Sequence, residues 1–156
     1  MRQIIRNFIL LLASGAGIGY LPRMPGTLGT LVGLPVSLAI NRLEQAYPLL
    51  GVGALVGLAV VAIVVAGHAA RLLSAKDPQI IVIDEIAGFA LANFLSDTAT
   101  AIVGAFVLFR LFDIAKVYPA RRLERLTGGA GVVLDDLLAG LYVFVILRLL
   151  SWMGLL

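Results

Sequence analysis

The chain alternates long apolar runs with short polar clusters. Five runs carry no charged residue: 24–41, 45–70, 86–96, 98–109 and 137–147. As a helix, 45–70 is long enough to cross a bilayer outright, and 27–41 is nearly so. A polar turn with a Tyr47-Pro48 step separates the two segments. The pattern therefore predicts a hairpin of two membrane helices.

The segment 84–114 can be read as one span or as two shorter helices. A single straight helix would place the acids at its two ends on opposite sides of a membrane, where they could not act together. The polar triplet 96–98 instead offers N-cap chemistry for a second helix. We therefore predict a short helical hairpin, in which 84–95 runs away from the acids and 99–114 returns. Each arm is roughly 18–24 Å long.

The remaining segments are predicted to be two interfacial segments and one further membrane helix. The first 13 residues favour an amphipathic interfacial helix, and a signal peptide is the weaker alternative because no clear Ala-x-Ala site follows. Segment 115–134 is basic and ends in a glycine-rich loop, and the last helix is predicted from near Leu134 to about Trp152. The sequence thus predicts one domain, residues 1–156, that is an all-α polytopic membrane bundle of about five to six helices.

Composition supports the membrane assignment. The 156 residues are 61% hydrophobic and 13% charged, so a soluble domain could not hide this much apolar surface from water. The mean hydropathy is +1.05. A net charge of +3 gives no indication of nucleic-acid binding. The absence of cysteine excludes thiol chemistry, and the single histidine, His68, excludes mechanisms that need two.

Basic residues are distributed unevenly over the predicted topology. In this arrangement ten of the twelve lie on the side that carries the clustered acids, and only Arg42 and Arg148 lie on or toward the other side. Because positive charge favours the cytoplasmic side of a membrane, the acids are predicted to face the cytoplasm. The ten are Arg2, Arg6, Arg23, Arg71, Lys76, Arg110, Lys116, Arg121, Arg122 and Arg125.

Five of the nine carboxylates form three clusters at the ends of apolar runs. Helix N-termini favour acidic residues, which explains some of them, but Asp113 is predicted near a helix C-terminus, where an anion is disfavoured. Carboxylates with water and a substrate phosphate are the usual ligands of Mg²⁺. We therefore predict a catalytic site with Mg²⁺ bound by Asp84, Asp113, Asp135 and Asp136, and with Glu85 beside them.

Two cations and two glycine-rich segments are the candidate substrate-binding elements. Arg110 can bind a phosphate through two hydrogen bonds, and Lys116 adds a point charge; ion pairing with the acids is the competing reading. Glycines near a helix N-terminus let backbone N–H groups approach an anion, although a packing turn is equally compatible with the pattern. We expect Thr27 to act as an N-cap. The candidate substrate-binding residues of these two glycine-rich segments are Thr27, Thr30, Gly128 and Gly129.

The motifs together resemble the phosphatidylglycerophosphatase A family of bacterial membrane lipid phosphatases. The resemblance extends over residues 15–140 and departs at Val117, where proline is frequent, and at Thr127, where histidine is common. It rests on the order of Gly-x-Gly-x-x-Pro-x-x-Pro-Gly-Thr-x-Gly-Thr (17–30), Lys-Asp-Pro-Gln (76–79), Ile-Asp-Glu-x-x-Gly (83–88), Phe-Arg-x-x-Asp-x-x-Lys (109–116) and Gly-Gly-x-Gly-x-x-x-Asp-Asp-x-x-x-Gly (128–140).

The resemblance implies a Mg²⁺-dependent phosphatase of the bacterial inner membrane whose site faces the cytoplasm. Such an enzyme converts phosphatidylglycerol phosphate to phosphatidylglycerol and inorganic phosphate. Attack by water is the default expectation, and an aspartyl-phosphate intermediate stays open. Other lipid phosphates, such as phosphatidic acid or a prenyl phosphate, are the alternative substrates. A small transporter and a non-catalytic assembly subunit are the remaining readings, and the sequence leaves the oligomeric state open.

Overall fold

The structure is a computed structural model that describes residues 1–75 and 78–156, so the predictions for Lys76 and Asp77 lie outside the described residues. The described residues form seven α-helices, one short 3₁₀ helix (Ile18–Tyr20) and no strand. This confirms the all-α class. The helices are α1 (Arg2–Ala13), α2 (Pro25–Ala46), α3 (Pro48–Leu72), α4 (Ile83–Ala92), α5 (Ala99–Ala115), α6 (Ala120–Leu123) and α7 (Gly129–Trp152).

The predicted number of helices was too low by one. The additional helix is α6, a single turn inside the segment that was expected to be interfacial. Helices α3 and α7 are long and apolar enough to cross a membrane. Helix α4 has ten residues, or about 15 Å, which is half of a hydrocarbon core of about 30 Å.

Helix α4 lies at the centre of the bundle, where it packs chiefly against α7 and α2. Most of its side chains are buried, and Phe89 anchors a cluster with Phe109 and Leu147. The backbones of α4 and α7 touch at two facing glycines. A Cβ at Gly88 would lie 2.7 Å from the carbonyl oxygen of Asp136, and a Cβ at Gly140 would overlap the carbonyl oxygen of Gly88. Only glycine allows this approach, which brings the start of α4 beside α7.

Two predicted helix starts were wrong. The last helix begins at Gly129, not near Leu134, because its glycines serve packing: a Cβ at Gly129 would overlap the carbonyl oxygen of Ile63 in α3. Helix α2 begins at Pro25, so Thr27 lies within its first turn and does not cap it. Proline has a φ suited to the first helical position and no N–H to leave unpaired there.

The predicted hairpin is confirmed as two separate helices, α4 and α5. The hydroxyl of Thr98 accepts a hydrogen bond from the Ala101 N–H at 3.1 Å and caps α5. Asp97, the middle residue of the polar triplet 96–98, is exposed beside Thr98. The triplet therefore supplies the cap, although from its third residue.

A buried polar network closes the far end of this hairpin. The Asn41 side-chain amide donates to the carbonyls of Asn93 (2.8 Å) and Ser96 (3.0 Å), and its oxygen accepts from the Leu95 N–H at 3.2 Å. Arg148 of α7 donates to the Leu95 carbonyl at 2.7 Å. These bonds satisfy backbone groups that the end of α4 leaves open, which an apolar environment would otherwise penalise.

Replacing Asn41 with alanine is therefore expected to destabilise the protein by about 2–3 kcal/mol, because two buried backbone carbonyls and a partly buried N–H lose their partner. Denaturant unfolding in detergent measures this change. The matched control is Asn7→Ala on α1, where the side chain of an exposed asparagine accepts a hydrogen bond from the Gln3 side chain. Equal stability of the two variants would contradict a structural role for the network.

Candidate active site

Three carboxylates meet where the start of α4 faces the second turn of α7. Oxygens of Asp84, Glu85 and Asp136 all lie within 4.8 Å of one another. Asp84 and Glu85 are the second and third residues of α4, and Asp136 is the eighth residue of α7. The glycine contact between the two helices is what allows the three groups to approach so closely. Such a group of oxygens has the composition of a site for a hard divalent cation.

The surroundings of these acids make uncompensated negative charge costly. Burial raises the pKa of Asp84 well above its usual range, and the charges of Glu85 and Asp136 add to the effect. Burial also raises the pKa of Glu85, against a smaller lowering by its hydrogen bond to Asp84. Among the described residues, Glu85 Oε2 is buried without a hydrogen-bond partner. A bound cation would relieve both the repulsion and the missing contact.

Two cations lie beside the acids and hold the remaining predicted carboxylates. Arg110 Nη1 donates to Asp113 Oδ2 at 2.6 Å. Lys116 Nζ forms an ion pair with Asp135 and lies 3.7 Å from Asp113 Oδ1. Asp113 and Asp135 therefore pair with the cations and line the same cleft as the cluster. Asp135 Oδ1 is also buried without a partner in the described part of the chain.

Lys116 is held in place by its backbone and by three acids. It follows α5 in the left-handed conformation (φ 47°), which turns the chain away from the helix and aims the ammonium group at α7. Burial opposes its charge, but the hydrogen bond and charge of Asp135 outweigh that effect and raise the pKa of Lys116 well above its usual range. Lys116 is therefore protonated throughout the physiological pH range.

All these acids and Lys116 line one cleft of about 420 Å³. Its rim comes from the segment before α2 and from the residues that precede α4. Gly26 lies directly above the charges, since a Cβ there would be 3.0 Å from both terminal nitrogens of Arg110 and would overlap Glu85 Oε1. The other lining residues are Pro22, Met24, Pro25, Gln79, Ile81 and Val132.

The four candidate residues of the glycine-rich segments are not among the described residues that line the cleft. The hydroxyl of buried Thr30 donates to the Gly26 carbonyl at 2.8 Å. Gly129 packs against α3, and Gly128 precedes it with φ 75°. Thr30 thus supports the turn over the site from within α2. Substrate binding by Thr27, Thr30, Gly128 and Gly129 stays a prediction.

Sequence reasoning missed two residues of the site. Gly26 belongs to the Pro-Gly-Thr motif, and its role follows from a close approach that only the fold reveals. Glu124, on the turn after α6, lies 3.2 Å from Lys116 Nζ. It is an isolated acid in an arginine-rich segment, and that isolation was the one available signal.

Relatives among known proteins share most of this chain. A proposed phosphatidylinositol-3-phosphatase of Bacteroides thetaiotaomicron is 33% identical over 148 residues, covering 92% of this chain and 93% of that protein. A phosphatidylglycerophosphatase A of Haemophilus influenzae is 34% identical over 155 residues, covering 94% and 91%. The Escherichia coli protein of the same name is 31% identical over 134 residues, covering 83% and 76%. No solved structure matches the chain.

The fold and the site define a helical protein that has two helices long and apolar enough to cross a membrane. Its cleft of clustered acids and Lys116 lies at the helix ends, and Arg110 bonds Asp113 of the cleft lining. The model of the family described as phosphatidylglycerophosphatase A matches residues 11–151. The chain belongs to this family and is a phosphatase enzyme. The resemblance of its ordered motifs to that family is thereby confirmed.

Proposed function

We propose that this protein is a Mg²⁺-dependent lipid phosphatase that hydrolyses phosphatidylglycerol phosphate to phosphatidylglycerol and inorganic phosphate. The observation that carries the proposal is one cleft that three clustered carboxylates and Lys116 line, with Arg110 bonded to Asp113 of the same lining. The cleft thus offers oxygen ligands for a divalent cation and positive groups for a phosphate. Two relatives are named for this substrate, and the family supports the reaction class.

The donor set fits Mg²⁺, which prefers carboxylate oxygens and retains water and substrate ligands. Asp84, Glu85 and Asp136 are the residues that would hold it, and the unpaired Glu85 oxygen supports this choice. Asp113 and Asp135, also expected as ligands, are bonded to the cations and would orient them. When bound, the ion would neutralise phosphate oxygens and make a coordinated water more acidic.

The cations of the chain would bind and stabilise the phosphoryl group. Arg110 offers a planar pair of donors, and Lys116 offers a charge that persists at neutral pH. In the reaction a water oxygen forms a bond to phosphorus while the bond from phosphorus to the glycerol oxygen breaks. The water gives up a proton to a carboxylate of the cleft, and the glycerol oxygen takes one up. Charge that develops on the phosphoryl oxygens is stabilised by the two cations.

The arrangement of helices supports a multi-pass protein of the bacterial inner membrane whose cleft faces the cytoplasm. The cleft lies at the end of the bundle where α2, α4 and α7 begin and α5 ends. Exposed arginines of α6 and its flanks, Arg121, Arg122 and Arg125, lie at that end. Positive residues favour the cytoplasmic side, where a lipid headgroup would meet the acids.

A second candidate substrate is phosphatidylinositol 3-phosphate. The relative from Bacteroides thetaiotaomicron carries that activity in its name and aligns over nearly the whole chain. Both lipids present a phosphate monoester on a phospholipid headgroup, so the same acids and cations would serve either one. The two substrates differ in the size of the alcohol that leaves the phosphorus.

The test is phosphate release by the purified protein in detergent, with and without Mg²⁺, from both lipids at equal surface concentration. We expect Mg²⁺-dependent release from phosphatidylglycerol phosphate, with loss of release when EDTA is added. Preference for phosphatidylinositol 3-phosphate would transfer the assignment to that lipid. Undiminished release in EDTA would contradict the metal, and no release from either lipid would overturn the proposed reaction.

A further inference from the structure

We propose that an acyl chain of the lipid substrate lies in an apolar groove between α5 and α7 that begins beside the cleft. This proposal rests on the proposed function, since it assigns a place to the part of the substrate that is not hydrolysed. The groove has a volume of about 510 Å³. It is lined by Phe112, Val117, Leu141, Tyr142, Val145 and Ile146.

Each wall of the groove is formed by a helix that also carries residues of the cleft: α5 on one side and α7 on the other. Phe112 directly precedes Asp113, and Val117 directly follows Lys116. On α7, Tyr142 and Ile146 are seven and eleven residues after Asp135 and share its helix face. A lipid whose phosphate lies between Arg110 and Lys116 therefore meets this groove as the next surface for its chains.

The distance from the acids to the far end of the groove suits one leaflet of a bilayer. From Asp135 to Ile146 the axis of α7 advances about 16 Å, which is close to half of a hydrocarbon core of about 30 Å. An acyl chain that starts at the level of the acids and follows this face of α7 therefore spans the leaflet in which its own headgroup lies. The groove gives the chain apolar contacts over the part of that distance that lies farther from the acids, from Leu141 to Ile146 of α7.

Aromatic packing fixes the walls at the end of the groove that lies beside the cleft. The rings of Phe112 and Tyr142 pack with their centroids 5.8 Å apart. The Tyr142 hydroxyl donates to the Tyr118 carbonyl at 2.9 Å, which satisfies its polar atom outside the apolar lining. Leu141 and Val145 are exposed and form the side that is open to lipid. The walls are thus fixed by contacts within the protein before any lipid binds.

The experiment fills the groove with a larger side chain and leaves the acids and cations unchanged. Val145→Trp places an indole in the groove; Val107→Trp is the matched control, because both valines are about half exposed, at 46% and 50%, and Val107 lies on the outer face of α5. KM and kcat are measured on dipalmitoyl and dihexanoyl phosphatidylglycerol phosphate. For Val145→Trp we expect KM for the dipalmitoyl lipid to rise about tenfold, since buried methylene contacts are lost. Its kcat, and both constants on the dihexanoyl lipid, stay within about twofold of wild type.

A second measurement keeps this proposal separate from the proposed reaction. The wild type and both variants are irradiated in micelles with phosphatidylglycerol phosphate that bears a diazirine midway along one acyl chain, and the adducts are mapped by mass spectrometry. We expect adducts at Tyr142 and Ile146 that excess unlabelled lipid suppresses and that only Val145→Trp removes. Adducts spread evenly over α3, α5 and α7, or equal kinetic effects of the two tryptophans, would overturn the groove. Absence of phosphate release by wild type would overturn the reaction alone, because labelling does not depend on turnover.

Discussion

Replacing Asp84 with asparagine is expected to lower the rate of phosphate release by about 10³-fold while the protein remains folded. Asparagine preserves the shape of the side chain but removes the negative charge that, with Glu85 and Asp136, would hold a divalent cation. Because burial and two like charges already oppose ionisation of Asp84, the loss should not destabilise the fold. Initial rates of phosphate release and a thermal unfolding curve in the same detergent measure both parts of the expectation.

The matched control for this variant is Asp97→Asn. It makes the same chemical change at an exposed acid beside the cap of α5, at the far end of the hairpin. Its phosphate-release rate should stay within about twofold of wild type, as is usual for a surface substitution away from a site. If Asp84→Asn and Asp97→Asn release phosphate equally fast, the acid cluster is not the active site.

Replacing Gly140 with alanine is expected to destabilise the protein by about 3 kcal/mol and to lower activity by about 10²-fold, although residue 140 lies outside the cleft lining. The added methyl group would overlap the Gly88 carbonyl oxygen, so α4 and α7 must move apart. Backbone atoms cannot yield in the way that a flexible side chain does. The same movement would separate Asp84 from Asp136. Denaturant unfolding and initial rates record the two effects.

Gly57→Ala on α3 is the control for the glycine contact, because a Cβ there meets no atom of the described residues within 4 Å. Alanine is the better helix former by about 1 kcal/mol, so this variant should be as stable as wild type or slightly more stable. Its activity should be unchanged. If Gly140→Ala has the same stability and the same rate of phosphate release as Gly57→Ala, the close approach of α4 and α7 does not organise the acids.

The parts of the fold that follow from local chemistry were predictable from sequence. The length of α3 follows from its uncharged run, and the division of the hairpin follows from the polar triplet that caps α5 at Thr98. The five acids and two cations were identifiable because charge is costly near apolar helices unless it is used. These inferences need only the residues and their neighbours in the chain.

Features that depend on distant partners were not predictable in the same way. A glycine-rich segment is compatible with a flexible loop and with close helix packing. The sequence predicted a loop at Gly129, whereas this residue packs against α3 and begins α7. Likewise, the neighbouring residues in the sequence do not indicate which acids lie together. Asp84 and Asp136 face each other, whereas Asp135 pairs with Lys116. Those pairings depend on the rotation of each helix, which tertiary packing decides.

The network at the end of α4 has a consequence for the order of biogenesis. The Leu95 carbonyl receives its hydrogen bond from Arg148, which is synthesised 53 residues later. While α7 is still being translated, this end of the half-length helix lacks one of the partners that an apolar surrounding requires. Asp136 reaches the cluster on the same late helix. Packing of α7 therefore completes both ends of α4 together, and the acid cluster can form only after α7 has been synthesised.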